Sequence, residues 1–276
     1  MNTATNSPIV RVALVADPQY TDSEPKYRRN FRRGRTHLQS LIATFNQDPS
    51  LDFIINLGDF VNGDTPDELP VMAEIFRQSR IPVYHTPGNH DLNLNTLEQL
   101  SEHLGQKAFF YDFSIGPFRF ISVNSCDESL FAPKDSPEYI RIQHYLENHP
   151  ELRTWNGRLS AQHMDWLRNR LADARDCGQK AIIFTHIPIL SQTSQAGVTL
   201  YDYQDMLALL DQFPEVIAWI AGHDHDGSTI VRNGVLHKSV MGLCETELPT
   251  AVIASLYPGR MELEAIGNET SAVHTF

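Results

Sequence analysis

Five apolar runs in this chain each stop on residues that carry chemistry. Val12-Ala-Leu-Val-Ala16 leads to Asp17 and Gln19, and Phe53-Ile-Ile-Asn-Leu57 leads through Gly58 to Asp59 and then Asn62. Val83-Tyr-His-Thr-Pro-Gly88 leads to Asn89, His90 and Asp91. Ile182-Ile-Phe-Thr185 leads to His186, and Val216-Ile-Ala-Trp-Ile-Ala-Gly222 to His223 and His225. Runs of this length read as buried strands. In open α/β sheets, sites collect beyond the carboxyl ends of the strands. One Asp at a strand end is ordinarily a turn or cap, and one His is ordinarily structural. Five such endings point to a shared site, provided the strands are parallel neighbours whose ends meet on one edge.

Between these runs lie helix-like segments, so the pattern is βαβ and the expected core is largely parallel. Strands are expected over Val10–Ala16, Asp52–Leu57, Pro82–Thr86, Phe118–Asn124, Lys180–Thr185 and Val216–Ala221. Helices are expected over Tyr27–Asn46, Pro66–Ser79, Thr96–His103, Ala161–Arg175 and Asp202–Leu210. In the first helix Phe31, Leu38, Leu41, Ile42 and Phe45 share one face. Gly34 sits inside it at a cost of about 1 kcal/mol relative to Ala, which close packing explains. Beyond 228 the chain becomes β-rich, with an Asn233-Gly234 hairpin signal. Residues 127–157 read as an irregular insertion, and no linker is evident, so residues 1–276 read as one domain.

Charge narrows the function classes. The 276 residues carry a formal net charge of -12. A nucleic-acid or anionic-membrane surface needs basic patches, so neither is expected as a partner. Lys26, Arg28, Arg29, Arg32, Arg33 and Arg35 form a local exception. Cations at a helix start oppose the dipole. A bound diphosphate at Arg28, Arg29 and Arg32 would compensate them, or Asp22 and Glu24 would. Cys126, Cys177 and Cys244 form no CxxC pair and fit a reducing cytoplasm. The opening MNTATNSPIV has no leader pattern, and no run is long enough for a membrane span.

The ordered set Asp17-x-Gln19, Gly58-Asp59, Gly88-Asn89-His90-Asp91, His186 and Gly222-His223-Asp224-His225 resembles the signature of the calcineurin-like metallophosphoesterases. The likeness runs from about Ile9 to Gly267. It implies an α/β fold, a four-layer αββα sandwich of two mixed sheets flanked by helices. It also implies a two-metal phosphohydrolase acting through metal-activated water. Asp17, Gln19 and His225 would complete one metal, Asn89, His186 and His223 the other, with Asp59 bridging. His90 matches the position that contacts the scissile phosphate. Asp91 either orients His90 or is a turn cap.

Gln19 departs from the family's commoner His. An amide oxygen is a harder, neutral ligand, so Mn²⁺ is expected, with Mg²⁺, Fe or Zn²⁺ as alternatives. Asp17-Pro-Gln-Tyr20, Tyr27-Arg28-Arg29, His85–His90 and Gly242-Leu-Cys-Glu-Thr246 are similar to the manganese-dependent ADP-ribose/CDP-alcohol diphosphatases. That resemblance implies cleavage of the P–O–P link of a small nucleoside diphosphate compound. The same ligands serve phosphomonoesterases, cyclic-nucleotide phosphodiesterases and protein phosphatases, which stay as the alternative. A non-catalytic scaffold would have lost ligands that are all present. Cys244 lacks a catalytic companion and would line a base or sugar pocket. His85 and His237 read as satisfied core or edge histidines.

Overall fold

The computed structural model describes residues 7–193 and 195–276. Residues 1–6, part of the opening segment on which the expectation of no leader falls, lie outside the described residues. The chain begins with β1 (Val10–Val15), α1 (Phe31–Phe45), β2 (Phe53–Asn56), α2 (Glu68–Arg77), β3 (Val83–His85) and α3 (Leu97–Leu104). Then come β4 (Tyr111–Ile115), β5 (Phe118–Ser122), β6 (Glu128–Ser129), α4 (Pro137–Glu147), β7 (Gly157–Arg158), α5 (Ala161–Asp176) and β8 (Lys180–Phe184). The last third holds α6 (Gln195–Val198), α7 (Tyr203–Leu210), β9 (Val216–Ala221), β10 (Ser228–Arg232), β11 (Val235–Ser239), β12 (Ala251–Tyr257), β13 (Arg260–Ile266) and β14 (Ala272–Thr275).

The strands form two six-stranded sheets, ordered β14-β13-β12-β1-β2-β3 and β10-β11-β9-β8-β5-β4, with β6 and β7 pairing separately. Both sheets are mixed. β1, β2 and β3 run parallel, as do β5, β8, β9 and β11, while β12, β13, β14, β4 and β10 are antiparallel to their neighbours. The largely parallel core expected from the alternation is therefore corrected. β4, β10 and β14 lie at sheet edges, β10 added by the hairpin through Asn233-Gly234, while β12 pairs with β1 in the middle of its sheet.

Side-chain alternation assigns the layers. Val10, Val12, Leu14 and Ala16 join Phe53, Phe120, Ile182, Phe184 and Ile220 in a core between the sheets. The opposite faces, through Ala13, Val15, Ile54, Ile183 and Trp219, pack with helix residues such as Leu38, Leu41, Phe45, Leu167 and Met206. This is the αββα sandwich. Phe53 of the first sheet meets Phe113 and Phe120 of the second edge-on, with ring centroids 5.3 and 5.1 Å apart. Each such pair adds roughly 0.5–1.5 kcal/mol beyond its buried area.

Two expectations move. Helix α1 starts at Phe31 rather than Tyr27, because Asn30 caps it by accepting from the Arg33 N–H. Lys26 to Arg29 instead form a tight turn with two backbone hydrogen bonds. The insertion at 127–157 is not irregular: α4 runs through it. Ser136 is its N-cap and Pro137 its first residue, a pairing that suits a helix start because proline has no N–H to satisfy. Gly34 is explained by packing: a Cβ there would lie 1.9 Å from the Pro18 carbonyl oxygen. Helix α1 rests directly on the loop between Asp17 and Gln19. Among the described residues no helix is long and apolar enough to cross a membrane.

Candidate metal centre

The five polar strand ends meet, but across two sheets rather than along one edge. Asp17, Asp59 and Asn89 follow β1, β2 and β3, and His186 and His223 follow β8 and β9 of the other sheet. The loops after β1 and β2 continue to pair, through Asp17 N–H to Gly58 O, Gln19 N–H to Asp59 O and Tyr20 N–H to Phe60 O. The backbone pays locally for this arrangement. Asp17, Gln19, Asp59 and His223 all have left-handed φ, at 51°, 43°, 52° and 63°. Non-glycine residues held there cost about 1–3 kcal/mol each and cluster at functional sites. Gly88 is required by proximity, since a Cβ would lie 2.1 Å from Asp59 Oδ1.

The donor set fits a cation. His186 Nδ1 donates to the Leu57 carbonyl oxygen at 2.8 Å, which leaves Nε2 to face the cluster. That nitrogen faces Asn89 Oδ1 at 3.1 Å, His223 Nδ1 at 3.1 Å and Asp59 Oδ2 at 3.2 Å. Asp59, His186 and His223 offer ligand atoms all within 4.8 Å of one another. Burial disfavours charge on both Asp59 and His186. Their mutual attraction overcomes it, holding the Asp59 carboxyl far below its usual range and lifting His186 to about 9. Burial, then the charge of His186, pushes His223 well below its usual value. A lone proton is thus left in a nest of acceptors that a divalent ion would satisfy better.

A second cluster adjoins it. Asp17 Oδ1 lies 3.2 Å from His225 Nε2, and Asp17 Oδ2 accepts from the His223 N–H at 3.0 Å. Gln19 reaches Asp59, but through Nε2 to Oδ2 at 3.4 Å. Its Oε1, the expected ligand atom, accepts from Cys244 Sγ at 3.3 Å. The amide is therefore turned relative to the expectation, and a half-rotation exchanges its two ends. Cys244 is fully buried behind Gln19 and His225, so it lines no open pocket, which corrects that expectation.

His90 lies at the edge of the cluster, with its N–H on Asp59 Oδ1 at 2.8 Å. Its Nδ1 rests on the Asn62 carbonyl oxygen at 2.9 Å. Asp91 does not orient the His90 ring. Its carboxylate accepts from the backbone N–H groups of Gly88, Asp59, Phe60 and Val61. It is the cap that joins the two loops. Of the basic cluster, Arg28 and Arg29 reach the centre only through Glu245, while Arg32 pairs with Glu24 and the Asp22 carbonyl. Acidic partners, in the main not those expected, balance these cations.

Two residues of the centre were not among those expected from the sequence. Asn156, from the end of the insertion, accepts from His223 Nε2 at 2.9 Å through Oδ1. Glu245 accepts from His225 Nδ1 at 3.0 Å. That hydrogen bond holds its carboxyl down at about 2, despite partial burial. Glu245 stands beside Cys244 in a motif of recognised pattern, and that was its only clue. Asn156 has none, because it meets His223 only in three dimensions.

Comparison with known proteins follows the same lines. The family described as calcineurin-like phosphoesterase matches residues 10–227. A manganese-dependent ADP-ribose/CDP-alcohol diphosphatase of Bos taurus is 29% identical over 304 residues, covering 92% of this chain and 90% of that protein. One from Arabidopsis thaliana is 28% identical, covering 89% of each. The crystal structure of a dimetal phosphatase from Danio rerio superposes with a TM-score of 0.89 at 23% identity, covering 98% of this chain and 100% of that one.

Proposed function

Since the chain belongs to the calcineurin-like phosphoesterases, we propose that it hydrolyses the P–O–P bond of small nucleoside diphosphate compounds of the ADP-ribose or CDP-alcohol type, with Mn²⁺. The observation that carries this is the buried donor cluster around Asp59, His186 and His223, in a chain whose curated relatives bear that activity in their names. Asp17, Gln19, Asp59 and His225 would hold one ion. Asp59, Asn89, His186 and His223 would hold the other. When bound, two such ions neutralise phosphate charge and lower the pKa of the attacking water.

The chain's own residues do the rest. Asp59 Oδ2 lies 3.2 Å from His186 Nε2 and 3.4 Å from Gln19 Nε2, so its charge would serve both sets. His90, anchored at Nδ1 on the Asn62 carbonyl oxygen, would offer Nε2 to the phosphate, to stabilise its charge or to protonate the leaving group. The Asn62 carbonyl keeps that geometry. The protein is read as acting in the cytoplasm, supported by its free cysteines.

The test is product analysis with Mn²⁺ on a panel of ADP-ribose, CDP-alcohols and phosphomonoesters. AMP or CMP release from the diphosphates is expected. Orthophosphate from the monoesters alone would replace this reading with a phosphomonoesterase.

A further inference from the structure

Each histidine of the centre has its other ring nitrogen held, and the three holders differ in charge. His186 Nδ1 rests on the Leu57 carbonyl at 2.8 Å and His223 Nε2 on the Asn156 amide oxygen at 2.9 Å, both neutral. His225 Nδ1 rests on a carboxylate, Glu245 Oε1, at 3.0 Å. His225 belongs to the ligand set that also contains Gln19, a neutral side chain. We propose that Glu245 is a positioning residue that supplies, through His225, the negative charge that Gln19 withholds from that ion. The inference rests on Asp17, Gln19, Asp59 and His225 serving one ion.

The physical basis is the basicity of the ligand. A carboxylate that accepts a hydrogen bond from a ligating imidazole fixes its tautomer and makes its other nitrogen a stronger donor. A carbonyl or amide oxygen fixes the ring with less charge behind it. Glu245 is built for the stronger role. Arg28 reaches its Oε2 at 2.9 Å and Arg29 its Oε1 at 3.4 Å, which holds the carboxylate in place. Arg28 is held in turn by Asp226 at 2.7 Å. The adjacent Cys244 N–H binds the Asp17 carbonyl oxygen at 3.1 Å, which pins the Glu245 loop to the strand end that carries Asp17. The arginines nearest the centre thus steady a carboxylate behind a ligand.

The experiment counts Mn²⁺ by electron paramagnetic resonance on the metal-stripped full chain, with near-UV circular dichroism to report the fold. Wild type should bind two ions; fewer would overturn the dimetal reading and this inference with it. Glu245→Gln keeps the shape and removes the charge. It should weaken one ion about tenfold or more and leave the other unchanged. Gln19→Glu returns a charge at the ion itself, so Q19E/E245Q should recover the affinity. Unchanged binding in E245Q overturns the proposal. So does a loss that Q19E fails to recover, because a purely steric role would not respond to charge placed elsewhere. Should E245Q not fold, Q19E alone decides: the added charge should tighten the same ion, and an untightened ion overturns the proposal.

Discussion

His90 and Asp91 are neighbours in sequence, and the fold separates their work. His90 presents a ring to the cluster, while Asp91 is fully buried and holds four backbone N–H groups. His90→Ala should therefore lower kcat about 10²- to 10⁴-fold while Mn²⁺ content by elemental analysis stays at the wild-type level. Loss of metal in that variant would place His90 among the ligands instead. Asp91→Ala should act on folding. Each buried N–H left without an acceptor costs about 1–3 kcal/mol, so a total of about 3 kcal/mol or more is expected in urea unfolding. A fully stable Asp91→Ala with a lowered rate would restore the orienting role.

Elements show how packing reaches the chemistry. Helix α1 touches Pro18 through Gly34, so Gly34→Ala sets two effects against each other. Helix propensity gains about 1 kcal/mol. A Cβ 1.9 Å from a carbonyl oxygen forces the helix away, and overpacking costs about 1–3 kcal/mol. Net destabilisation is expected, with weaker Mn²⁺ binding because Asp17 and Gln19 flank Pro18. A more stable variant with unchanged binding would show that the loop yields freely. On strand β11, His237 shares the outer face with its register partner Trp219. Both its ring nitrogens are buried without hydrogen-bond partners, so it is not the satisfied histidine expected from sequence. Burial, and then Arg232, pushes it from 6.5 down to about 4, with Asp211 opposing. The folded state keeps it neutral while the unfolded chain takes up a proton below about 6.5. Stability is therefore whole above that pH and falls as the pH drops towards 4. At about 1.36 kcal/mol per unit, the loss is about 3 kcal/mol. His237→Phe should flatten that part of the curve in urea titrations at pH 4 to 7, and an unaltered slope would assign it to other groups.

For the whole molecule, the proposed ligands come from both sheets, so bound ions would tie the two halves of the sandwich together. Adding Mn²⁺ at about 100 times its Kd should stabilise the metal-free protein by about 2.7 kcal/mol per site, read as a rise of several degrees in Tm, and a chelator should reverse it. A Tm indifferent to Mn²⁺ would mean that the donor cluster does not bind it. Much of this design was legible in the chain. Residue type and order were enough for the strand ends, most of the helices and, by resemblance, the αββα class, because strand termination is a local property. Folding decided the remainder. That the five endings meet across two sheets, that Asp91 caps a loop rather than turning a ring, that Gln19 faces Asp59 with its nitrogen, and that Asn156 and Glu245 hold two of the histidines are all consequences of distance. Asn156 and His223 stand 67 positions apart in the chain and 2.9 Å apart in space. No local pattern encodes such a pair, because the hydrogen bond exists only once packing has paid the entropy of bringing its ends together.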